Sequence, residues 1–148
     1  LQALVALGQI GAGAKSAVPT IISLLEQESF DSVKYTAAFA LGEIGDAAEV
    51  EPELKKLLQA EDLGLRAIGA RGLAMISTDP DVRERAVDVM IEGLKSDDTH
   101  IRQLIIRTLA ELEPPAEGPR PEVIEAFNRI EAERAKKRRE REKRSTRN

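Results

Sequence analysis

The 148-residue chain has no cysteine, no tryptophan, a single histidine and only four Phe/Tyr rings. The missing cysteine removes disulfides, thiolate zinc sites and thiol nucleophiles together. His100 stands alone, so a histidine-based metal site has no second ligand of its kind. No apolar run approaches the length of a membrane-spanning helix, about 18 residues or more. Nor is there a basic segment ahead of an apolar core at the N-terminus, so Leu1, Leu4, Val5 and Leu7 do not read as a secretory signal. With neither cysteine nor such a signal, the cytoplasm is the favoured compartment. These absences point away from chemistry.

What is present is a substantial core and a lopsided charge. Apolar residues make up 42% of the chain, enough for one continuous hydrophobic interior. The net charge is −4. Residues 129–148 carry ten Lys/Arg against four Glu, net +6, which leaves 12 basic and 22 acidic side chains, net −10, on residues 1–128. An acidic folded body with a basic tail is the expectation. Leu1 falls inside an apolar pattern, as it would in a piece of a longer protein.

The body repeats itself. Ala6-Leu7-Gly8-Gln9-Ile10-Gly11 recurs as Ala40-Leu41-Gly42-Glu43-Ile44-Gly45, and in degraded form as Gly72-Leu73-Ala74-Met75-Ile76-Ser77 and Thr108-Leu109-Ala110-Glu111-Leu112-Glu113. The marker leucines 7, 41, 73 and 109 are separated by 34, 32 and 36 residues. A second ladder, Ile21-Leu24-Leu25, Leu54-Leu57-Leu58 and Val87-Met90-Ile91, advances by 33 each time. Two interleaved ladders of one period are the signature of a repeat architecture.

Both ladders have helical spacing. Val33, Ala37, Ala40, Leu41 and Ile44 make one stripe of a 3.6-residue helix, and Ile21, Leu24 and Leu25 do the same for a partner helix. Short Gly-, Ala-, Asp- and Pro-rich connections lie between them, at Gly11 to Lys15, Gly45 to Ala48 and Ser77 to Pro80. Gly11 and Gly45 stand where a left-handed residue would end a helix. Asp79 before Pro80 reads as an N-cap followed by the first helical position. No segment alternates apolar and polar residues as a strand would. The unit is therefore two antiparallel helices of roughly 12–15 residues, which must stack on neighbours to cover their apolar faces. Gly8, Gly42, Ala74 and Ala110 share one register, flanked by Ala6, Ala40, Gly72 and Thr108, and this column predicts close helix approach.

Val33-Lys34, Leu65-Arg66 and Ile101-Arg102 each open a first helix that closes on the Ala-Leu-Gly-like motif. In these features the chain resembles the short HEAT repeat, in the variety also found in phycobilisome (bilin) lyase subunits and bacterial scaffold proteins. The resemblance implies an all-α, right-handed α-solenoid of about four stacked antiparallel helix pairs, with units at 1–29, 30–61, 62–97 and 98–130. A basic tail, 131–148, follows as a long charged helix or a disordered segment. Ser77 and Glu113 replace the closing glycine, and the fourth unit has a longer Pro-rich elbow from Glu113 to Pro121.

Candidate chemistry is sparse. Gly8, Gly13, Lys15 and Ser16 approach a phosphate-binding loop, but Ala14 stands where its second glycine belongs and no strand leads in. The segment reads as a connector. Asp97, Asp98 and Thr99 beside His100 read as helix capping. HEAT-like deoxyhypusine hydroxylases hold iron with His-Glu pairs, whereas Ile101 follows His100 here, so that activity is excluded. HEAT-like DNA glycosylases line their concave side with aromatic and basic residues, which an acidic body without tryptophan does not offer. Lys34, Arg66 and Arg102 form a ladder expected to pair with carboxylates between neighbouring repeats. No cofactor is implied, and nothing points to a catalytic residue.

The expected function is a protein-interaction scaffold, with the second helices lining the inner face. Ser23, Lys56 and Val89 occupy one outward register of those helices, and Glu26, Gln59 and Glu92 the next. Ser23, Glu26, Lys56, Gln59 and Glu92 are thus the candidate contacts to a protein or peptide partner, with specificity from charge pairing. Two alternatives stand beside this one. The chain could be a bilin lyase subunit or helical accessory domain of an enzyme, on resemblance alone. It could also reach nucleic acid, but only through Lys136, Lys137, Arg138, Arg139, Arg141, Lys143 and Arg144 of the tail. A solubilising cap, with Glu140 and Arg144 paired at i, i+4, is the plainer reading of that tail.

Overall fold

A computed structural model describes residues 1–112 and 121–145. The Pro-rich elbow from Glu113 onward and the last three residues, Thr146 to Asn148, lie outside the described residues. Among the described residues there are eight α-helices and no strand. They are α1 (Gln2–Ile10), α2 (Val18–Gln27), α3 (Asp31–Ile44), α4 (Ala47–Leu57), α5 (Leu63–Ile76), α6 (Pro80–Gly93), α7 (Thr99–Leu112) and α8 (Pro121–Ser145). Odd-numbered helices are the first members of each pair and even-numbered helices the second. The all-α stacked array anticipated from the repeat is what forms.

Its boundaries follow the sequence signals. Gly11 and Gly45 end α1 and α3 with φ of 62° and 73°, values that cost a side-chain-bearing residue steric energy. The Asp79 carboxylate accepts a hydrogen bond from the Asp81 N–H at 3.0 Å, with Pro80 in the first turn. Asp62 caps α5 the same way, accepting from Leu65 N–H at 2.7 Å. The second helices α2 and α4 have 10 and 11 residues, shorter than the 14 of α3, α5 and α7. The shortening of α2 has a local cause, because a 3-10 stretch, Gly11–Ala17, occupies what would have been its first turn.

Both ladders are buried. Ala37, Ala40 and Leu41 of α3 and Leu54 of α4 are wholly inaccessible, and Ile21, Met90 and Ile105 continue the same interior into the other units. Backbone meets backbone along the first helices. A Cβ built on Gly42 of α3 would stand 2.9 Å from the Gly72 Cα of α5, and one on Gly8 of α1 would stand 3.3 Å from the Ala40 Cα of α3. Each column glycine therefore meets the flanking small residue of the next unit, which is why this column is spaced as it is. α5 is buried almost all round, from Gly64 to Ala74, because it is packed by α3, α4, α6 and α7. The second helices lie mainly against first helices, α2 on α3 and α4 on α5, and touch one another less. Residues of α1, α3, α5 and α7 also line one shared recess. Successive units thus meet chiefly through their first helices, and the glycine column that permits this backbone approach sits on those helices.

Candidate functional site

The candidate contact residues stand on the second helices. Ser23 and Glu26 are on α2, Lys56 is near the end of α4, Gln59 follows it in the turn, and Glu92 is near the end of α6. Ser23 is half-buried and accepts a hydrogen bond from the Gln27 side chain at 2.8 Å, whereas the other four are exposed. Lys56 Nζ lies 2.7 Å from Glu53 Oε2 and 3.7 Å from Glu26 Oε1, so Glu26 and Lys56 are brought together across α2 and α4. The Glu53 hydrogen bond is the main reason the Lys56 ammonium is held above its ordinary pKa, against a smaller opposing effect of burial. Glu92 stands apart, lining a recess between α6 and α8 with Lys95, Glu122, Glu125 and Arg129.

The basic tail residues continue the last packed helix without a break. α8 runs to Ser145, and Lys136, Lys137, Arg138, Arg139, Arg141, Lys143 and Arg144 are exposed along it. Its N-terminal half is held to the body by the buried Ala126 and Ile130 and by one ionic cluster. Arg102 is wholly buried. It donates to the Ser96 carbonyl at 2.5 Å, to Thr99 Oγ1 at 2.9 Å and to Glu133 Oε2 of α8 at 2.5 Å. Thr99 Oγ1 also donates to Glu133 Oε2, and Arg129 Nε lies 3.4 Å from Glu133 Oε1. Burial alone would raise the pKa of Glu133; the Thr99 hydroxyl, Arg102 and Arg129 outweigh it and hold the carboxyl below its ordinary value of 4.5.

That shift has a defined pH consequence. A carboxyl with a depressed folded-state pKa adds stability above its unfolded value and loses it as pH falls through the folded value. The docking of α8 is therefore expected to weaken only below about pH 4.5, and Glu133→Gln to flatten this acid limb in melts followed by circular dichroism. An unchanged acid limb in Glu133→Gln counts against the cluster as the anchor of α8.

The Lys/Arg ladder is structural, with a correction to its partners. Arg66 Nη1 donates to the carbonyls of Ala60 and Glu61 at 2.7 and 3.0 Å, as Arg102 does to Ser96. Both reach six residues back, to carbonyls at the end of the preceding second helix, rather than pairing only with carboxylates. Unpaired carbonyls at a helix end carry partial negative charge, and an arginine satisfies them. Lys34 stands six residues after Glu28, and its positive charge lies near that carboxylate. The loop around Lys15 is a connector, its ammonium 3.5 Å from the Asp46 carboxylate in the next connection. Asp98 beside His100 caps α7, accepting from the His100 and Ile101 N–H groups at 2.7 and 3.4 Å.

Two polar clusters escaped sequence reasoning. Arg71, only 7% exposed, stacks 4.6 Å from the centre of the Phe39 ring, donates to Thr108 Oγ1 at 3.0 Å and ion-pairs with Glu43 at 2.7 Å. It ties α3, α5 and α7 together, although among the described residues its Nη1 has no hydrogen-bond partner. Its sole sequence signal is an arginine two residues before a marker leucine, where the preceding unit has Phe39. Tyr35 donates to Asp62 Oδ1 at 2.6 Å, linking α3 to the cap of α5. Burial, that hydrogen bond and the charges of Asp62, Asp31 and Asp98 all push the phenol pKa upward.

Among the described residues no three His, Cys, Asp or Glu side chains converge as a metal site would require, and no helix is long and apolar enough to cross a membrane. Neither the curated proteins nor the solved structures contain a match to the chain. Two family models do match: HEAT repeats over residues 18–85, and the PBS lyase HEAT-like repeat over residues 1–27. Together they cover residues 1–85 and agree with the stacked helix pairs and their small-residue column, and the chain belongs to the HEAT-repeat family.

Proposed function

We propose that the chain is a non-catalytic protein-interaction module that binds a protein or peptide partner on its extended surface. HEAT repeats in general act as protein-interaction scaffolds. The observation that carries the reading is how the units use their faces. The main apolar ladders are spent on neighbouring helices, and charged and polar groups are exposed on or just after the second helices, with Glu26 beside Lys56, Gln59 in the following turn and Glu92 apart on α6. Such groups select a partner by complementary charge. Lys56→Glu combined with Glu92→Lys is expected to weaken binding of a demonstrated protein partner about tenfold or more. Undiminished affinity in titration calorimetry removes the second-helix groups from the contact surface.

The lyase alternative draws on one observation, the match of residues 1–27 to the PBS lyase HEAT-like repeat. It predicts that the chain co-purifies with a tetrapyrrole, visible as long-wavelength absorbance, or with a second lyase chain. Nucleic-acid association draws on the exposed cations of α8. It predicts salt-sensitive binding that disappears when residues 136–148 are deleted. The deletion has to spare Glu133, because removing it also removes the partner of the buried Arg102. Binding that survives the deletion clears the tail.

A further inference from the structure

The first helices carry a second apolar stripe that the core covers only in part: Ile68 is buried, Phe39 and Leu104 are half-buried and Val5 is exposed. Five residues before the marker leucines stand Gln2 on α1, Thr36 on α3, Ile68 on α5 and Leu104 on α7, and two before them stand Val5 on α1 and Phe39 on α3, with Arg71 and Arg107 taking that place on α5 and α7. Close stacking of these helices sets the stripe side by side, where Val5, Thr36, Phe39, Ile68 and Leu104 line an open recess of about 280 Å³. An adjoining recess of about 330 Å³ shares Tyr35, Asp98 and Ile101 with it and adds Asp62, Asp97 and Lys95. The two make one trough, apolar over one half and acidic over the other.

We propose that this trough docks a segment of a partner protein in which a bulky apolar side chain is flanked by lysine or arginine. The inference rests on the interaction reading above and names the place and the partner's chemistry.

Size argues for a side chain rather than a whole small molecule. Sites that enclose a ligand run from roughly 300 to 1,000 Å³, whereas the two recesses here, about 280 and 330 Å³, lie open along a trough. Val5 is 45% exposed and Phe39 half-buried, so apolar surface is left for an occupant to cover. Charge sets the sign of the flanking residues. Asp31, Asp62 and Asp98 all act on the Tyr35 hydroxyl in the wall, and the surrounding body carries net −10. Among the described residues, Arg129 is 3.4 Å from Asp97, and Lys95 is the cation in the lining of the two recesses, against Asp62 and Asp98. The chain's own basic tail is a poor occupant, because from residue 131 onward its apolar residues are only Ala132 and Ala135. Nucleic acid is repelled by the rim.

The test uses the full chain and fluorescein-labelled short peptides with a central Leu or Phe flanked by Arg, by Ser or by Glu. Fluorescence anisotropy is expected to show binding of the Arg-flanked peptides. Glu flanks, or Ser at the centre, should weaken it about tenfold or more. Val5→Lys and Thr36→Lys change groups at the trough surface without touching the caps at Asp62 and Asp98, and each is expected to weaken the Arg-flanked peptides by a similar factor. Failure of every peptide to bind overturns the inference. So does binding that ignores both trough variants but falls with Lys56→Glu, and in that case the interaction module stands with its contact on the second helices. Self-association of the wild-type chain that Val5→Lys abolishes in analytical ultracentrifugation also overturns it, since the occupant is then a second copy.

Discussion

Arg102→Ala is expected to lower the stability of the C-terminal pair by about 2–4 kcal/mol, one of the largest effects available to a single substitution in this chain. The guanidinium is fully buried and serves two elements at once, the Ser96 carbonyl after the end of α6 and the Glu133 carboxylate in the middle of α8. Removing it leaves a buried carbonyl without its donor and opens a cavity where the longest side chain of this interior lay. Glu133 is 36% exposed and can rehydrate, which keeps the cost below that of a fully enclosed ion pair. Units of a stacked array couple only to their neighbours, so the loss should be local. Amide hydrogen exchange is therefore expected to quicken along α8 while α3 and α5 keep their protection. Arg102→Met with Glu133→Leu should recover part of the loss, since an apolar replacement of a buried pair is often close to neutral. Uniform loss of protection across all helices, or none, contradicts the anchoring role of Arg102.

Gly42→Ala is the second, and its sign runs against intrinsic preference. Alanine in a helix interior is favoured over glycine by about 1 kcal/mol, so the substitution would stabilise an exposed helix. Here the new Cβ would stand 2.9 Å from the Gly72 Cα, which is backbone and has no rotamer to turn aside. α3 and α5 must separate along their length, loosening Leu41, Leu54 and Leu73 around them. Overpacking of this kind costs about 1–3 kcal/mol and is expected to outweigh the gain in propensity. Gly8→Ala is the internal control. Its Cβ would meet the Ala40 Cα at 3.3 Å, tight but within reach of a small adjustment, so its effect should be clearly smaller. Urea denaturation of the two variants ranks them, and a Gly42→Ala protein at least as stable as the parent rejects the close seam.

The elements that were legible in the sequence are those fixed by periodic apolar residues and local caps. Leu41, Leu54 and Met90 lie in the core because their ladders keep one phase over three units. Gly45 and Asp79–Pro80 end and begin helices for reasons internal to a few residues. The partners of isolated polar residues were not legible. Arg71 meets Glu43 and Thr108, 28 and 37 residues away, and nothing local to it announces either. Arg66 and Arg102 form a visible ladder, but the acceptors they have in common are backbone carbonyls, which every sequence has and none displays. The expected inner face is that of the second helices, with Ser23, Lys56 and Val89 in one outward register. The spacing of the array is set by where glycine allows backbones to meet, and that column was already visible at Gly8 and Gly42. Pro52 inside α4 shows the same dominance of packing over local preference, since Val50 and Leu54 on either side of it are fully buried and hold the helix together.

The trough and the exposed second-helix groups both depend on one claim, that first helices of successive units touch backbone to backbone. Its most direct measurement is a nuclear Overhauser spectrum of the assigned chain, read at the Gly42 and Gly72 α-protons. Stacking through the glycine column predicts a strong cross-peak between these residues, 30 positions apart in sequence, accompanied by one between Gly8 and Ala40. Sharp, assigned resonances at Gly42 and Gly72 with no cross-peak between them would contradict the stacked array.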